Sequence, residues 1–256
     1  MTELENRNPG EKIALTIMYD GTLFHGWQVQ NNARSVQGTL QDSLEAVLGF
    51  RPDVTGVSRT DSGVHANNYV CHILRDGVKM PPERLVAALN SHLRDGGIAV
   101  KGAQLKDADF HARYSCAAKE YIYKIWNAKY MNPFLKDKAM FYPMEIDVEK
   151  MSYAEEEFVG THDFRAFMTK GSKNEDNTIR SVRYFNVTRE DELITISVCA
   201  DGVLYNMVRI MVGTYIDLAR RGEGVGAVRG IIDSCERKYA GDTAPACGLY
   251  LNKIFY

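Results

Sequence analysis

The stretch VTGVSRTDSGVHANNYVCHIL (Val54–Leu74) decides the fold. It contains two apolar runs rich in β-branched residues, near Val54–Val57 and Tyr69–Leu74, and each reads as a strand. Between them lies a polar loop, Ser58–Ala66 (SRTDSGVHA), too short and too hydrophilic to be an element of its own. Upstream, Ser35 stands where a helix N-cap belongs, and Val36, Leu40, Leu44 and Val47 recur on one helical face. Before that helix, Ile13–Ile17 alternates as a strand and ends at the turn pair Asp20-Gly21. Downstream, Pro81-Pro82 opens a helix carrying Leu85, Leu89 and Leu93, with proline where a missing N–H costs least. Ile98–Ala103 closes the series as a strand. The order is β-α-β-β-α-β, the split pattern of ferredoxin-like and RRM-like units.

The second half repeats that order without repeating the sequence. Tyr121–Trp126 alternates as a strand, and Asp147 is placed to cap a helix with Met151, Ala154 and Phe158 facing inward. Val182–Thr188 and Leu193–Cys199 pair as a hairpin through Arg189-Glu190-Asp191. Met207, Met211, Thr214 and Leu218 share a helical face, a further helix runs near Val225–Cys235, and Leu249–Phe255 is a last strand. The expected fold is therefore α+β, with two ferredoxin-like halves, residues 12–106 and 107–256. Their mainly antiparallel sheets are expected to join into one extended sheet, with an active-site cleft between the halves. Helices on one face of each sheet leave the other face open, a common platform for RNA.

Composition narrows the function classes. Of the 256 residues, 45% are hydrophobic and 25% charged, ordinary globular values that make disorder the wrong default. The opening residues MTELENRNPGEK lack the apolar core of a secretory signal. The best membrane candidate, YNMVRIMVGTYIDLA, is interrupted by Arg209 and Asp217. Five cysteines without a CxxC pair argue against a disulfide framework or a zinc knuckle and suit a reducing cytoplasm. The histidines show no metal-ligand spacing. The net charge of −2 is not that of a typical RNA binder, but the charge is uneven. Segments 101–129 and 165–189 are basic and 145–157 is acidic, so positive charge gathered on one face can still hold phosphates.

Two readings compete at each chemistry-bearing residue. An aspartate in a Thr-Asp-Ser-Gly turn, such as Asp61, ordinarily caps or closes that turn. An arginine among Met207, Val208, Ile210 and Met211, such as Arg209, is expensive to bury unless paired; the alternative is that it snorkels to solvent. Tyr121 and Tyr123 share one face of their strand. A tyrosine on an open face can stack on a base, whereas core packing is the commoner fate.

Company elsewhere in the chain changes the weighting. YDGTLFHGWQVQ (Tyr19–Gln30) with SVQGTLQ (Ser35–Gln41), SRTDSGVHA, FHARYSCAAKEYIYKI (Phe110–Ile125), GTHDFRAF (Gly160–Phe167), LYNMVRIMVG (Leu204–Gly213) and APACGLYL (Ala244–Leu251) resemble, in order, the motifs of the TruA-type tRNA pseudouridine synthases. The likeness covers nearly the whole chain from Lys12. Departures are small: Ser58 and Ser62 stand where the family's catalytic loop, commonly GRTDAGVHA, has Gly and Ala, and Val203 where Phe is commoner.

The resemblance implies an isomerase that breaks the N1–C1′ glycosidic bond of uridine, turns the base and rejoins it through C5, with neither metal nor cofactor. It implies that Asp61 is the nucleophile. Attack on C1′, attack on C6 and assistance to a glycal all stay open. By the same likeness Arg209 pairs with the aspartate and favours its charged form, and Tyr121 stacks on the everted base. Arg59 fills the space the base leaves and holds phosphates, and Leu249 packs under the base. The histidines His65, His111 and His162 take no chemical role. The implied partner is the anticodon arm of tRNA, with uridines 38, 39 and 40 as targets, read by a cytoplasmic homodimer. An RNA-binding protein without turnover, or a small-molecule enzyme on a ferredoxin-like scaffold, are the alternatives; fold alone does not choose between them.

Overall fold

The computed structural model describes residues 10–171 and 176–256. Most of the polar N-terminal stretch, and Lys173 and Glu175 of the basic segment 165–189, lie outside the described residues. The chain forms two compact units, one holding the residues up to Ala117 together with Leu251–Tyr256, the other Ala118–Tyr250. Residues 107–117 and 251–256 thus sit with the first unit, where the pattern of elements assigns them to the second half.

In the first unit the expected order is present: β1 (Lys12–Tyr19), α1 (Val36–Leu48), β2 (Thr55–Gly56), β3 (His65–Leu74), α2 (Pro82–His92) and β4 (Ile98–Lys106). The sheet runs β4-β1-β3, with β2 on β3 and the end of β10 (Leu249–Phe255) next to β3. β1 pairs antiparallel with both β3 and β4, Leu15 facing Cys71 on one side and Ala103 on the other. Period-two alternation sorts the residues by face. Ile13, Leu15 and Ile17 of β1 are buried, as are Tyr69, Cys71 and Ile73 of β3. Val36, Leu40 and Leu44 of α1 and Leu85 and Leu89 of α2 join them in the core. Ser35 caps α1 by accepting from the Gly38 N–H (3.2 Å), and Gly49 ends it at φ +79°. Pro81 and Pro82 open α2 as expected.

The second unit contains β5 (Ala118–Trp126), β6 (Met140–Phe141), α3 (Ser152–Phe158), β7 (Gly160–Asp163), β8 (Ile179–Glu190), β9 (Leu193–Ala200), α4 (Met207–Arg221) and α5 (Ala227–Ser234). Its strands run β5-β9-β8-β7, antiparallel throughout, with β6 parallel to β5. The β8–β9 hairpin turns through Asp191 in the left-handed region (φ 52°). Phe158 of α3 stacks on Phe185 of β8 at 4.6 Å, and Ile194, Ile196 and Val198 of β9 are fully buried beside Met211 and Tyr215 of α4.

The α+β class with mainly antiparallel strands is as expected. Two details differ. Asp147 does not cap α3: its carboxylate accepts from the Lys150 N–H (3.1 Å) in a preceding turn, and α3 starts at Ser152, although Met151, Ala154 and Phe158 are buried as the spacing predicts. The short strands β6 and β7 were not expected. The five cysteines are thiols, none of them joined in a disulfide among the described residues. Among the described residues no helix is long and apolar enough to cross a membrane, and no group of His, Cys, Asp and Glu is arranged to hold a metal.

Candidate active site

The loop Ser58–Ala66 connects β2 to β3, and its shape is set by the segment after β1. Asp61 to Val64 form a tight turn: the Val64 N–H donates to the Asp61 carbonyl (3.2 Å), and Gly63 supplies φ +78°. Gly26, at φ +88°, presses its backbone on the loop so closely that a Cβ there would stand 2.6 Å from the Thr60 carbonyl oxygen. That carbonyl also accepts from the Trp27 N–H (3.1 Å). From below, the Tyr19 hydroxyl bonds the buried Thr60 Oγ1 at 2.8 Å, and the Tyr69 hydroxyl donates to the Ser58 carbonyl. Trp27 stacks on Tyr69 at 4.1 Å, closing the aromatic floor. His65 is buried, and its Nδ1 accepts from the Gly21 N–H (3.0 Å), a structural use. Asp61 is thus presented half-buried on a turn fixed at both flanks. Arg59, two residues earlier, is exposed and makes no ion pair among the described residues. Ser58 Oγ is buried with no hydrogen-bond partner among the described residues.

The remaining expected residues belong to the second unit. Tyr121 and Tyr123 do share a face of β5, and both are buried: Tyr121 is 4% exposed and Tyr123 0%. The two differ in commitment. The Tyr123 hydroxyl donates to the Pro245 carbonyl (2.7 Å), and burial, with Cys247 nearby, pushes its acidity far out of reach despite the opposing pull of Arg209. Arg209, on α4, does not snorkel. It is half-buried, its Nε donating to the Ala244 carbonyl (2.7 Å) and its Nη1 to Asn206 Oδ1 (2.8 Å). Gly213 makes this reach possible, because α4 lies so close to segment 241–244 that a Cβ there would collide with the Asp242 carbonyl at 1.7 Å. Leu249, the first residue of β10, is buried at 6%. Asp61 and Arg59 therefore share one loop of the first unit, while Tyr121, Arg209 and Leu249 stand in the second.

A model of the tRNA pseudouridine synthase family matches residues 15–115 and 154–256. The chain belongs to that family. Relatives called tRNA pseudouridine synthase A agree along almost the whole length. The one from Acetivibrio thermocellus is 40% identical over 249 residues, covering 95% of this chain and 99% of its own. The one from Ruminiclostridium cellulolyticum is 42% identical over 246 residues, covering 96% and 99%. That of Lactobacillus acidophilus is 38% identical over 245 residues, covering 94% and 93%. Pseudouridine synthases are isomerases, and membership places this chain among them. The family match contains the whole 58–66 loop and the segment 19–27 that clamps it. It does not contain Tyr121 or the rest of β5, since residues 116–153 fall between its two stretches.

Sequence reading quoted YDGTLFHGW but gave its members no role. Tyr19, Trp27 and Tyr69, with Thr60, are the positioning residues it missed. The signal was present: Tyr19 continues the inward series Ile13, Leu15, Ile17, so an aromatic hydroxyl at the end of β1 points at whatever loop crosses there.

Proposed function

We propose that this chain converts uridine to pseudouridine in the anticodon arm of tRNA, at positions 38, 39 and 40, with Asp61 as the nucleophile. The observation that carries this reading is the clamped turn Asp61–Val64, a half-buried carboxylate on a loop pinned through the Thr60 hydroxyl and carbonyl. A half-buried aspartate on a rigid turn is suited to act repeatedly at one atom, since its position is fixed before substrate arrives. The reaction exchanges one bond for another. The N1–C1′ bond breaks, C5–C1′ forms, C5 gives up its proton, and N1 gains one. No electrons enter or leave, so Asp61 has to stabilise a separated base and sugar, by attack on C1′ or C6 or by assisting a glycal. Arg59 enters the space of the everted nucleotide, Tyr121 stacks on its base, Leu249 packs beneath it, and Arg209 supplies the positive charge that favours a carboxylate. Arg209 suits this role because its guanidinium is already oriented by Ala244 and Asn206. No cofactor takes part, and the enzyme works in the cytoplasm as a homodimer.

Asp61→Asn removes the nucleophile at nearly constant shape. Single-turnover formation of pseudouridine on unmodified tRNA is expected to fall by at least about 10⁴-fold, with tRNA binding within a few-fold of wild type. Equal product from both proteins would sink the assignment. A non-catalytic RNA-binding protein predicts binding by both and product from neither. Light scattering at assay concentration is expected to read twice the 28.8 kDa chain mass; a monomer with full activity would remove the dimer.

A further inference from the structure

The helix-free face of the first unit's sheet is not flat. It holds a hollow of about 220 Å³, floored by Ala14 and Thr16 of β1 and walled by Phe110 and Tyr256. The hollow follows from residue size. Ala14 lies opposite Gln104, Thr16 lies opposite Gly102, and a Cβ at Gly102 would meet nothing within 4 Å. Small residues on neighbouring strands leave a gap that longer neighbours surround. Its aromatic wall is fixed in advance. The Lys12 ammonium donates to the carbonyls of Ala108 (2.7 Å) and Phe110 (2.6 Å), and the Phe110 ring lies 5.1 Å from Tyr256, whose hydroxyl donates to the Ala112 carbonyl (2.9 Å).

The chemistry of the lining is mixed in a particular way. Thr16 and Gln104 make no side-chain hydrogen bond among the described residues, so a hydroxyl and an amide face the hollow with their capacity unspent. Lys106 and Lys253 stand at its rim, and the lining contains no aspartate or glutamate side chain. Neither lysine is in an ion pair among the described residues. Lys106 Nζ rests 5.6 Å over the Phe110 ring and Lys253 Nζ 4.9 Å over Phe255. The volume is below the 300–1,000 Å³ or so typical of sites that enclose a whole drug-sized ligand. It suits a flat polar ring whose charged appendage stays outside.

We propose that this hollow takes one nucleotide of the tRNA other than the uridine being isomerised. Its base lies against Phe110 with its edge on Gln104 and Thr16, and its phosphate sits between Lys106 and Lys253. The inference rests on the reading of tRNA as substrate. An aromatic face beside two cations and an amide is the combination by which sheet surfaces bind unpaired bases.

The test compares wild type with the double variant Lys106→Ala, Lys253→Ala and with Gln104→Ala, using full-length protein and full-length unmodified tRNA across a salt series. The double variant is expected to raise Kd about tenfold and to make the log Kd against log salt plot shallower by roughly 0.7–0.9, the loss of one neutralised phosphate. Gln104→Ala is expected to weaken binding several-fold without changing the slope. A control double variant, Lys79→Ala with Lys150→Ala, removes the same charge elsewhere and is expected to change neither. If wild type modifies tRNA and the rim variants bind it as tightly as wild type, or if the control loses as much as they do, the inference falls alone. If wild type neither binds nor modifies tRNA, the functional reading falls with it. Free uridine 5′-monophosphate and adenosine 5′-monophosphate form the other arm: saturable binding that depends on Gln104 while tRNA affinity does not would make this a mononucleotide site and overturn the proposal. Unchanged melting temperatures verify that the variants fold.

Discussion

Thr60 shows how much of the site depends on single atoms. Its hydroxyl meets Tyr19 at 2.8 Å, its carbonyl takes the Trp27 N–H, and the next residue is Asp61. Removing one partner of a buried hydrogen bond leaves the other unsatisfied and costs about 1–3 kcal/mol, whereas removing both costs less. Tyr19→Phe and Thr60→Val are therefore each expected to destabilise the fold by about 1–2 kcal/mol and to lower turnover, while the double variant loses less than their sum. Urea denaturation of the four proteins reads the coupling, and strict additivity would show that the bond does not hold the loop. At this scale the sequence was partly legible. Arg209 among apolar neighbours is visible as an unusual placement, whereas Asp61 sits in an ordinary turn and stands out only through the resemblance of its loop. The burial of Tyr121 is not, because alternation reports which side of a strand a residue takes and not what covers that side.

Elements were legible where they carry their own boundary signals. The Ser35 cap, the Pro81-Pro82 start and the Leu85–Leu89 spacing are local, and α1 and α2 begin and bury as these predict. Strands β6 and β7 lack such signals: Met140–Phe141 is a strand only by pairing with β5, a partner distant in sequence. The start of α3 was misplaced because an aspartate side chain can close a turn as readily as it opens a helix. Helix α5 shows a borrowed cap. Its N-cap is Gly226, which has no side chain to offer, and the Glu157 carboxylate of α3 accepts instead from the N–H groups of Gly226, Val228 (3.0 Å) and Arg229 (3.1 Å). Glu157→Ala strips these charge-assisted bonds from all three donors. The expected loss is about 2 kcal/mol, with hydrogen exchange accelerated in α5 first. Uniform acceleration across the unit would contradict a local role.

For the molecule as a whole, the α+β class and the repeated order of elements could be read from periodicity, but the course of the last strand could not. Charge was also misleading at this scale, since a net value of −2 conceals a hollow without aspartate or glutamate, rimmed by lysines. Acid sensitivity belongs to this scale as well. Burial, then the nearby His111 and Lys12, depress the His72 imidazole to about 4. Its Nδ1 accepts from the Ala112 N–H (3.2 Å), which requires the neutral ring. The unfolded chain binds a proton at the ordinary value near 6.5 that the folded chain refuses until about 4. The stabilisation is thus complete above pH 6.5 and is lost as pH falls from 6.5 toward 4. In His72→Gln, the urea midpoint is expected to vary less than wild type over that window; parallel curves would exclude this histidine.

The end of β10 has a consequence for how the protein is made. Leu251 is fully buried in the first unit, and Asn252 ties to Asn67 and Asn68 of β3, with both bonds at 2.8 Å. A ribosome releases Asn67 long before it polymerises Asn252. Throughout that interval the nascent first unit carries a raw β3 edge, open to any other extended segment. Loss of the segment Leu251–Phe255 would restore that immature state permanently.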